Sequence, residues 1–451
     1  MGLGLHGGGI ASARFFSRHG AQVTVTDLRS EEVLAPSLAA LEGLPVRFVL
    51  GRHEMADFTG ADLVVKNPAV PRTSPYLAAA QWVETDISVF LQLNRRPVLA
   101  VTGSKGKSTS VSALFEIMKK AFPDPFLGGN ITVSPLTFLE RCGEASDSPV
   151  ILELSSWQLA DLRPPELLKA RIALITNIMA DHQNRYDSMY DYVLDKLRIL
   201  AGQQRDDAAL FFYDDEYGKK LAPHAKGRRY FYSAEPLPPD IEGAALAGDE
   251  GIARIGGKDE LILPRRIRMK GIHNRLNLLA AGFIARLYGV DSPIIVERLA
   301  DFGGIEHRFE MVAVIDGVTW INDSAATIPE ATSAALRSLD GQVHLITGGT
   351  DKKLSFELFK TAALLPATIH LLAGTATDRM VEILRQEGRS YRGPFDSLEE
   401  AVRSAGEAAE PGDTVLFSPG STSFGMFLNE FDRGLKFKEL VAGMARRENR
   451  E

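Results

Sequence analysis

The residues best placed to do chemistry lie in Val98-Leu-Ala-Val-Thr-Gly103-Ser-Lys-Gly-Lys107-Ser-Thr109, an apolar run that breaks into a Gly- and Lys-rich turn. Beyond it Val111, Leu114, Phe115, Ile117 and Met118 recur at helical spacing, which predicts strand, loop and helix in that order. A loop at a helix N-terminus faces unpaired N–H groups that favour an anion, and the expected anion is a phosphate chain. Gly103 and Gly106 let the backbone approach the phosphates, with Ser104 and Lys105 between them. Lys107 can reach the outer phosphates, and the hydroxyls of Ser108 and Thr109 are placed to hold Mg²⁺. Val101 stands where the full P-loop pattern has its first glycine. The plainer reading, a Gly-rich turn with an exposed lysine pair, is disfavoured because the glycines, the Gly-Lys-Ser core and both flanking elements agree.

Other chemistry-bearing residues also follow apolar runs. Pro149-Val-Ile-Leu-Glu153-Leu-Ser-Ser-Trp-Gln158 reads as a buried strand ending in a carboxylate, costly to bury unless paired or bound to a cation. Ile172-Ala-Leu-Ile-Thr-Asn177-Ile leads into Ala180-Asp181-His182. Ligands in open α/β sheets gather at the carboxyl ends of strands, so Lys107, Glu153 and His182 are expected to converge, with His182 a nitrogen ligand to Mg²⁺. Lys196, in Asp195-Lys-Leu-Arg198, reads by itself as a solvated salt-bridging lysine. Asn274 and Asn277 lie three apart on one face of a predicted helix, and capping explains Asn274 nearly as well as base recognition does.

The elements that must position these residues alternate as an α/β chain. Met1-Gly-Leu-Gly-Leu-His-Gly-Gly-Gly9, the amphipathic Ile10 to His19 and Gln22-Val-Thr-Val-Thr-Asp27 read as loop, helix, strand and acidic end, the spacing of a dinucleotide-type turn. Such a turn follows a strand and none precedes it here, so the natural polypeptide is expected to start roughly ten residues upstream, a strand plus a short lead-in. Arg95-Arg-Pro97 reads as a linker, and residues 206–265 as short strands and turns. A hairpin is predicted around Asp316-Gly317, then parallel-type strands at Val343 to Ile346, Thr368 to Leu372 and Thr414 to Phe417, with helices near 355–364, 376–387 and 397–409. The turns Thr347 to Lys352 and Ser418 to Phe424 suit an anionic ligand, and the charged tail from Ala442 is expected to fray.

A chain of 451 residues suggests three domains at roughly 150 residues each. With 51 Lys plus Arg against 58 Asp plus Glu and no basic block, nothing would track a nucleic-acid backbone. The single cysteine, Cys142, excludes an intrachain disulfide and reads as an incidental thiol. No signal peptide or apolar run of membrane-spanning length is read, so the expectation is a cytoplasmic protein without membrane insertion, acting as a monomer.

Taken together, these residues resemble the Mur ligases over essentially the whole chain. The resemblance rests on the Thr102 to Thr109 loop, Thr176-Asn177…Asp181-His182, His273-Asn274…Asn277, His307-Arg308-Phe-Glu310 and Asn322-Asp323-Ser324, in that order. Glu153-Leu-Ser-Ser-Trp-Gln-Leu159, Ser418-Pro…Ser423-Phe424…Phe427 and Asp432-Arg433-Gly434 are similar to the form found in the D-glutamate-adding members. The resemblance implies a Rossmann-like N-terminal domain for the UDP end of the substrate (1–85), a central P-loop-type ATPase domain with a mostly parallel sheet (86–304), and a Rossmann-like C-terminal domain that closes over the site (305–451). It implies an ATP-dependent amide ligase that adds D-glutamate to UDP-N-acetylmuramoyl-L-alanine through an acyl phosphate, a cytoplasmic step toward peptidoglycan. By the same resemblance Ser108, Glu153 and His182 hold Mg²⁺, and Lys196 is carbamylated by CO₂ to supply a ligand to a second ion, which overrides its plainer reading. Asn274, Asn277, Arg308 and Asp323 match ATP contacts and Asn130 a substrate contact. Thr327, Lys352, Ser423 and Phe424 match positions around D-glutamate, and Leu5, His6, Asp27 and Arg29 those around the uridine.

The chain departs from the family in Asn322-Asp-Ser-Ala325-Ala-Thr-Ile328, which lacks a lysine common there; Lys352 or Lys353 is expected to replace it. The Gly7-Gly8-Gly9 turn and Glu430 also differ. Rival readings are a related amide ligase for another amino acid, a nicotinamide-dependent oxidoreductase resting on the N-terminal glycines, and an inactive nucleotide-sugar-binding protein. The Lys107 loop argues against the second, and the joint presence of Lys107, Glu153, His182 and Lys196 against the third.

Overall fold

The computed structural model describes residues 1–451 except 6, 132, 180–185, 187, 270, 352–355, 424, 425, 428 and 449–451, and not the side chains of 330, 358 and 445–448. The chain forms two compact units, Met1–Phe302 and Gly303–Glu451.

In the first unit two parallel strand pairs come first, β1 (Val23–Asp27) with β2 (Val46–Leu50) and β3 (Val64–Val65) with β4 (Val83–Glu84). Met1 to Leu3 run between β1 and β3: Gly2 N donates to Thr26 O, and Asn67 N to Met1 O. These are the bonds a central strand would make. A cavity of about 680 Å³ lies along the same two edges, between Gln22 to Thr26 and Leu63 to Lys66.

The large sheet of this unit uses β5 (Val98–Thr102), β6 (Phe126–Gly129), β7 (Val150–Glu153), β8 (Ala170–Ile175), β9 (Ala208–Phe212), β10 (Arg228–Ser233), β11 (Gly243–Ala247), β12 (Glu250–Ile255) and β13 (Lys258–Leu263). Their order is β13-β12-β11-β10-β9-β8-β5-β7-β6, parallel from β11 to β6 and antiparallel at β11/β12 and β12/β13. Residues 206–265, of low information as sequence, therefore supply five of the nine strands of this sheet. Side chains alternate along a strand, and that period sorts the core into two layers. Leu99, Val101, Ile151 and Leu174 face Val111, Leu114 and Met118 of the helix Lys107–Ala121 and Phe283 of the helix Ile272–Leu287. Val98, Ala100, Leu152 and Ile175 face Ile87, Phe90 and Leu159. Cys142 is buried in this second layer, and burial pushes its thiol up to about 11, so it stays protonated.

The second unit carries β14 (Glu310–Ile315), β15 (Val318–Asn322), β16 (Val343–Gly348), β17 (Thr368–Leu372), β18 (Arg392–Phe395) and β19 (Thr414–Phe417) in the order β14-β15-β19-β16-β17-β18. Only the β14/β15 hairpin is antiparallel among them. The tail corrects the sequence reading: a helix runs Glu430–Glu448, through most of the stretch expected to fray. Its Phe437 and Val441 are buried with Trp320 and Phe417, and an anchored helix continues at little cost into charged residues. Among the described residues no helix is long and apolar enough to cross a membrane.

At the amino ends of these strands a chain of hydrogen bonds links Asp413, His344, Thr368, His370 and Ser404 at successive distances of 3.0, 2.8, 2.7 and 3.1 Å. His370 is fully buried, and burial, with Arg392 and His344 nearby, holds it down at about 4 against an ordinary 6.5. The unfolded chain therefore binds this proton first. Stability is complete above pH 6.5 and declines as the pH falls toward 4. Between neutral pH and about pH 5 the titration of His370 should remove about 2 kcal/mol, read as the difference in slope between the parent protein and His370→Gln in chemical unfolding, since buried Asp323 titrates in the opposite sense in both. Equal slopes in the two proteins would contradict the assignment.

Candidate active site

Four adjacent strands bring the candidate residues to one edge. Val101 of β5 pairs with Glu153 of β7, Gly129 of β6 pairs with Glu153 from the other side, and Thr102 pairs with Ile175 of β8. The phosphate loop, Asn130, Glu153 and Thr176 thus emerge at neighbouring strand ends, as expected for an open sheet. Thr176 is the first residue of the segment that leads toward His182, which itself lies outside the described residues.

Glu153 is 1 % exposed. Asn130 Nδ2 donates to its Oε1 at 2.9 Å, while Oε2 is buried without a hydrogen-bond partner among the described residues. A buried carboxylate oxygen left in that state is destabilising by several kcal/mol in order of magnitude unless a cation takes it. The oxygen therefore fits a hard divalent ion. Among the described residues no three His, Cys, Asp or Glu side chains gather as a metal cage. One carboxylate with a hydroxyl and substrate phosphates is the donor set Mg²⁺ prefers.

The loop is fixed from below. Ser104 N donates to Asn177 O and Lys105 N to Asn177 Oδ1, while Thr176 Oγ1 donates to Lys105 O. A Cβ on Gly103 would overlap Thr176 Oγ1, so only glycine fits there. Lys107 Nζ turns back onto the loop, donating to Gly103 O at 2.9 Å and Ser104 O at 3.0 Å. Lys196 Nζ reaches the same Gly103 O at 2.7 Å from a position only 1 % exposed. Lys196 is thus no solvated surface lysine. Two ammonium groups share one carbonyl of the loop, positive charge that suits a phosphate arriving there.

Asn277 is brought against the loop as well, where a Cβ on Gly106, whose φ is +85°, would overlap its Oδ1. Asn274 is not the N-cap residue of its helix, which starts at Ile272 with Gly271 at the N-cap. Gly106→Ala should raise the KM for ATP roughly tenfold, because left-handed backbone costs a non-glycine residue about 1–2 kcal/mol and the Asn277 amide must move. An unchanged KM would mean that this contact does not shape the loop.

Toward the N-terminus, Asp27 accepts from Gly4 N at 3.1 Å and Arg29 N at 3.0 Å. Asp27 and Arg29 line a cavity of about 520 Å³ with His53, Asn67 and Tyr76; the half-buried Leu5 is not among its walls, and His6 lies outside the described residues.

In the second unit Asp323 follows β15, and the turns after β16 and β19 lie side by side, Thr350 and Thr422 exchanging backbone bonds at 3.1 Å. Asp323 accepts from Phe309 N at 3.0 Å and Ser418 Oγ at 2.7 Å; burial nevertheless raises its carboxyl to about 6. Arg308 sits between His307 (φ 61°) and Phe309 (φ 49°), left-handed residues of the strained kind that cluster at functional sites. Ser423 is buried and Thr327 half-buried, whereas Lys352 and Phe424 lie outside the described residues. The sequence reading assigned no role to Asn177, Tyr192 or the buried Arg433, whose guanidinium donates to Ser324 O and Ser421 O. Asn177 and Arg433 stand within motifs of the resemblance without a stated role, and the one sequence signal for Tyr192 is its place one helical turn before Lys196.

Three sequence-family profiles match along the chain: the Mur ligase MurD-like N-terminal domain at residues 1–89, the Mur ligase middle domain at 101–285 and the Mur ligase glutamate ligase domain at 307–420. The first replaces the nicotinamide reading of the N-terminal glycines. Among curated relatives, the UDP-N-acetylmuramoylalanine–D-glutamate ligases of Borreliella burgdorferi (strain ZS7) and Treponema pallidum (strain Nichols) are 41 % and 38 % identical, each alignment covering 98 % of this chain and 96 % of the relative. Among solved structures, UDP-N-acetylmuramate-alanine ligase MurC from Thermotoga maritima superposes with a TM-score of 0.58 at 21 % identity over 98 % of both chains, which supports the three-domain fold.

Proposed function

We infer the working of the site from one premise: the chain belongs to the Mur ligase family and acts as a UDP-N-acetylmuramoylalanine–D-glutamate ligase in the synthesis of peptidoglycan precursors. ATP phosphorylates the L-alanine carboxylate, the amine of D-glutamate attacks the acyl phosphate, and phosphate leaves from a tetrahedral intermediate. Little covalent work falls to the protein, so its residues neutralise charge and align the reactants. The observation that carries this reading is the shared edge of β7, β5 and β8, which sets a Glu153 oxygen without a hydrogen-bond partner among the described residues beside a strand end whose loop holds Lys107 and Lys196 on one carbonyl.

In this account Lys107 leaves Gly103 O and Ser104 O to follow the phosphoryl group, and the N–H groups of Gly106 to Thr109 at the helix start cradle the phosphates, while those of Ser104 and Lys105 hold the loop to Asn177. Ser108, Glu153 and His182 hold Mg²⁺, and Lys196, as a carbamate, serves a second ion. When bound, Mg²⁺ neutralises charge on the phosphates. Asn130 orients Glu153 and meets the acyl substrate. Asn274, Asn277, Arg308 and Asp323 serve ATP, while Thr327, Ser423, Phe424 and Lys352 or Lys353 serve D-glutamate, a lysine there standing in for the cation absent at Ala325. Leu5, His6, Asp27 and Arg29 serve the uridine. We place the domain boundaries near 85 and 304 and the enzyme in the cytoplasm, as a monomer. Phosphate release from ATP, measured with UDP-N-acetylmuramoyl-L-alanine and each amino acid in turn, tests the substrate assignment. D-glutamate should support release, and equal release with another amino acid would overturn it.

A further inference from the structure

We propose that Tyr192 is a positioning residue for phosphoryl transfer, its hydroxyl fixing the phosphate loop through Ser104 and its ring seating Lys196; the second half rests on the carbamate reading above. Tyr192 and Lys196 lie four residues apart on the helix Met189–Leu197, hence on one face. Tyr192 Oη is 3.0 Å from Ser104 Oγ in a buried contact. The same hydroxyl of Ser104 donates to Met179 O at 3.2 Å and accepts from Met179 N at 2.9 Å. Three segments therefore meet at Ser104: the phosphate loop, the stretch after β8 that leads to His182, and the helix that bears Lys196.

Over the ring, Lys196 Nζ lies 4.5 Å from the Tyr192 centroid and donates to the carbonyl of Gly103, the residue before Ser104. The circuit closes. Tyr192 touches the loop through Ser104, and Lys196 touches it through Gly103, so the loop and the lysine share one support. A ring held at its hydroxyl and against a lysine in a close-packed interior transmits displacement, and an error of about 1 Å at a phosphoryl-transfer site is costly.

The test compares Tyr192→Phe, Ser104→Ala, their double variant and Tyr192→Leu. Tyr192→Phe keeps the ring and removes one hydrogen bond, so the KM for ATP should rise by about three- to tenfold, with little change in the KM for UDP-N-acetylmuramoyl-L-alanine. Ser104→Ala, which also cuts the two bonds to Met179, should raise the KM for ATP at least as far, and the double variant should lose little more than Ser104→Ala, where the link to Tyr192 is already cut. ¹³C NMR of protein equilibrated with ¹³CO₂ reads the second half: the Lys196 carbamate resonance should persist in Tyr192→Phe and fall below half in Tyr192→Leu. An unchanged KM for ATP in Tyr192→Phe, additive losses in the double variant, or full carbamate occupancy in Tyr192→Leu would overturn the proposal. If the wild-type protein shows no carbamate resonance, the carbamate reading fails, and the ATP measurements still decide the role of the hydroxyl.

Discussion

Lys107→Ala should abolish acyl phosphate formation while leaving the chain folded, with kcat falling by about a thousandfold or more, the upper range for one lost transition-state donor or beyond. Lys107 opens a helix whose packing is carried by Val111, Leu114, Ile117 and Met118, so nothing in the core depends on its ammonium. Its ammonium donates to two loop carbonyls, and losing those bonds should change stability by about 0.5–1.5 kcal/mol each. The KM for UDP-N-acetylmuramoyl-L-alanine should move little, because the interaction is realised on the phosphoryl group in flight. Phosphate release together with a thermal melt separates the two effects. Near-normal turnover would refute the role given to the loop, and a collapsed melting temperature would mean that the lysine is structural after all.

Lys196→Ala carries the second large effect. If the buried amine becomes a carbamate that supplies an anionic ligand, removing it should lower kcat by about a hundredfold or more, in the range of one lost electrostatic group at a phosphoryl-transfer site. The truncated side chain leaves a polar gap beside Gly103 O, and added acetate can enter it with a carboxylate where the carbamate stood. Activity should then recover in part with acetate and not with chloride at equal ionic strength. A fully active variant, or recovery with any salt, would rule the carbamate out.

The phosphate loop was legible because all its determinants are local: the apolar run Val98 to Val101, two glycines with Lys107, and five helically spaced apolar residues specify strand, turn and helix within one short stretch. Glu153 was legible for a related reason, an acid at the end of a buried run being costly without a partner. Lys196 could not be read that way. Its burial is set by Gly103, 93 positions away, and by the ring of Tyr192, and no periodicity reports a contact between a helix and a distant loop. The tail was misjudged on composition, since what orders it is the contact of Phe437 and Val441 with Trp320 and Phe417. The helices Ser292–Asp301 and Pro329–Arg337 were passed over although each carries a proline in its first turn, the usual mark of a helix start. The chain from Asp413 to Ser404 was invisible because its members converge only when β16, β17 and β19 pair.

The most direct measurement follows an oxygen atom. UDP-N-acetylmuramoyl-L-alanine labelled with ¹⁸O in the alanine carboxylate is incubated with ATP, D-glutamate and the enzyme, and the released phosphate is analysed by mass. An acyl phosphate bridges the carboxylate and the phosphoryl group through a carboxylate oxygen, so attack by the amine at carbon must leave that oxygen on phosphate. The account predicts one ¹⁸O in each phosphate formed from doubly labelled carboxylate, with no transfer in Lys107→Ala. Phosphate released without label, while the amide product forms at the normal rate, would contradict it.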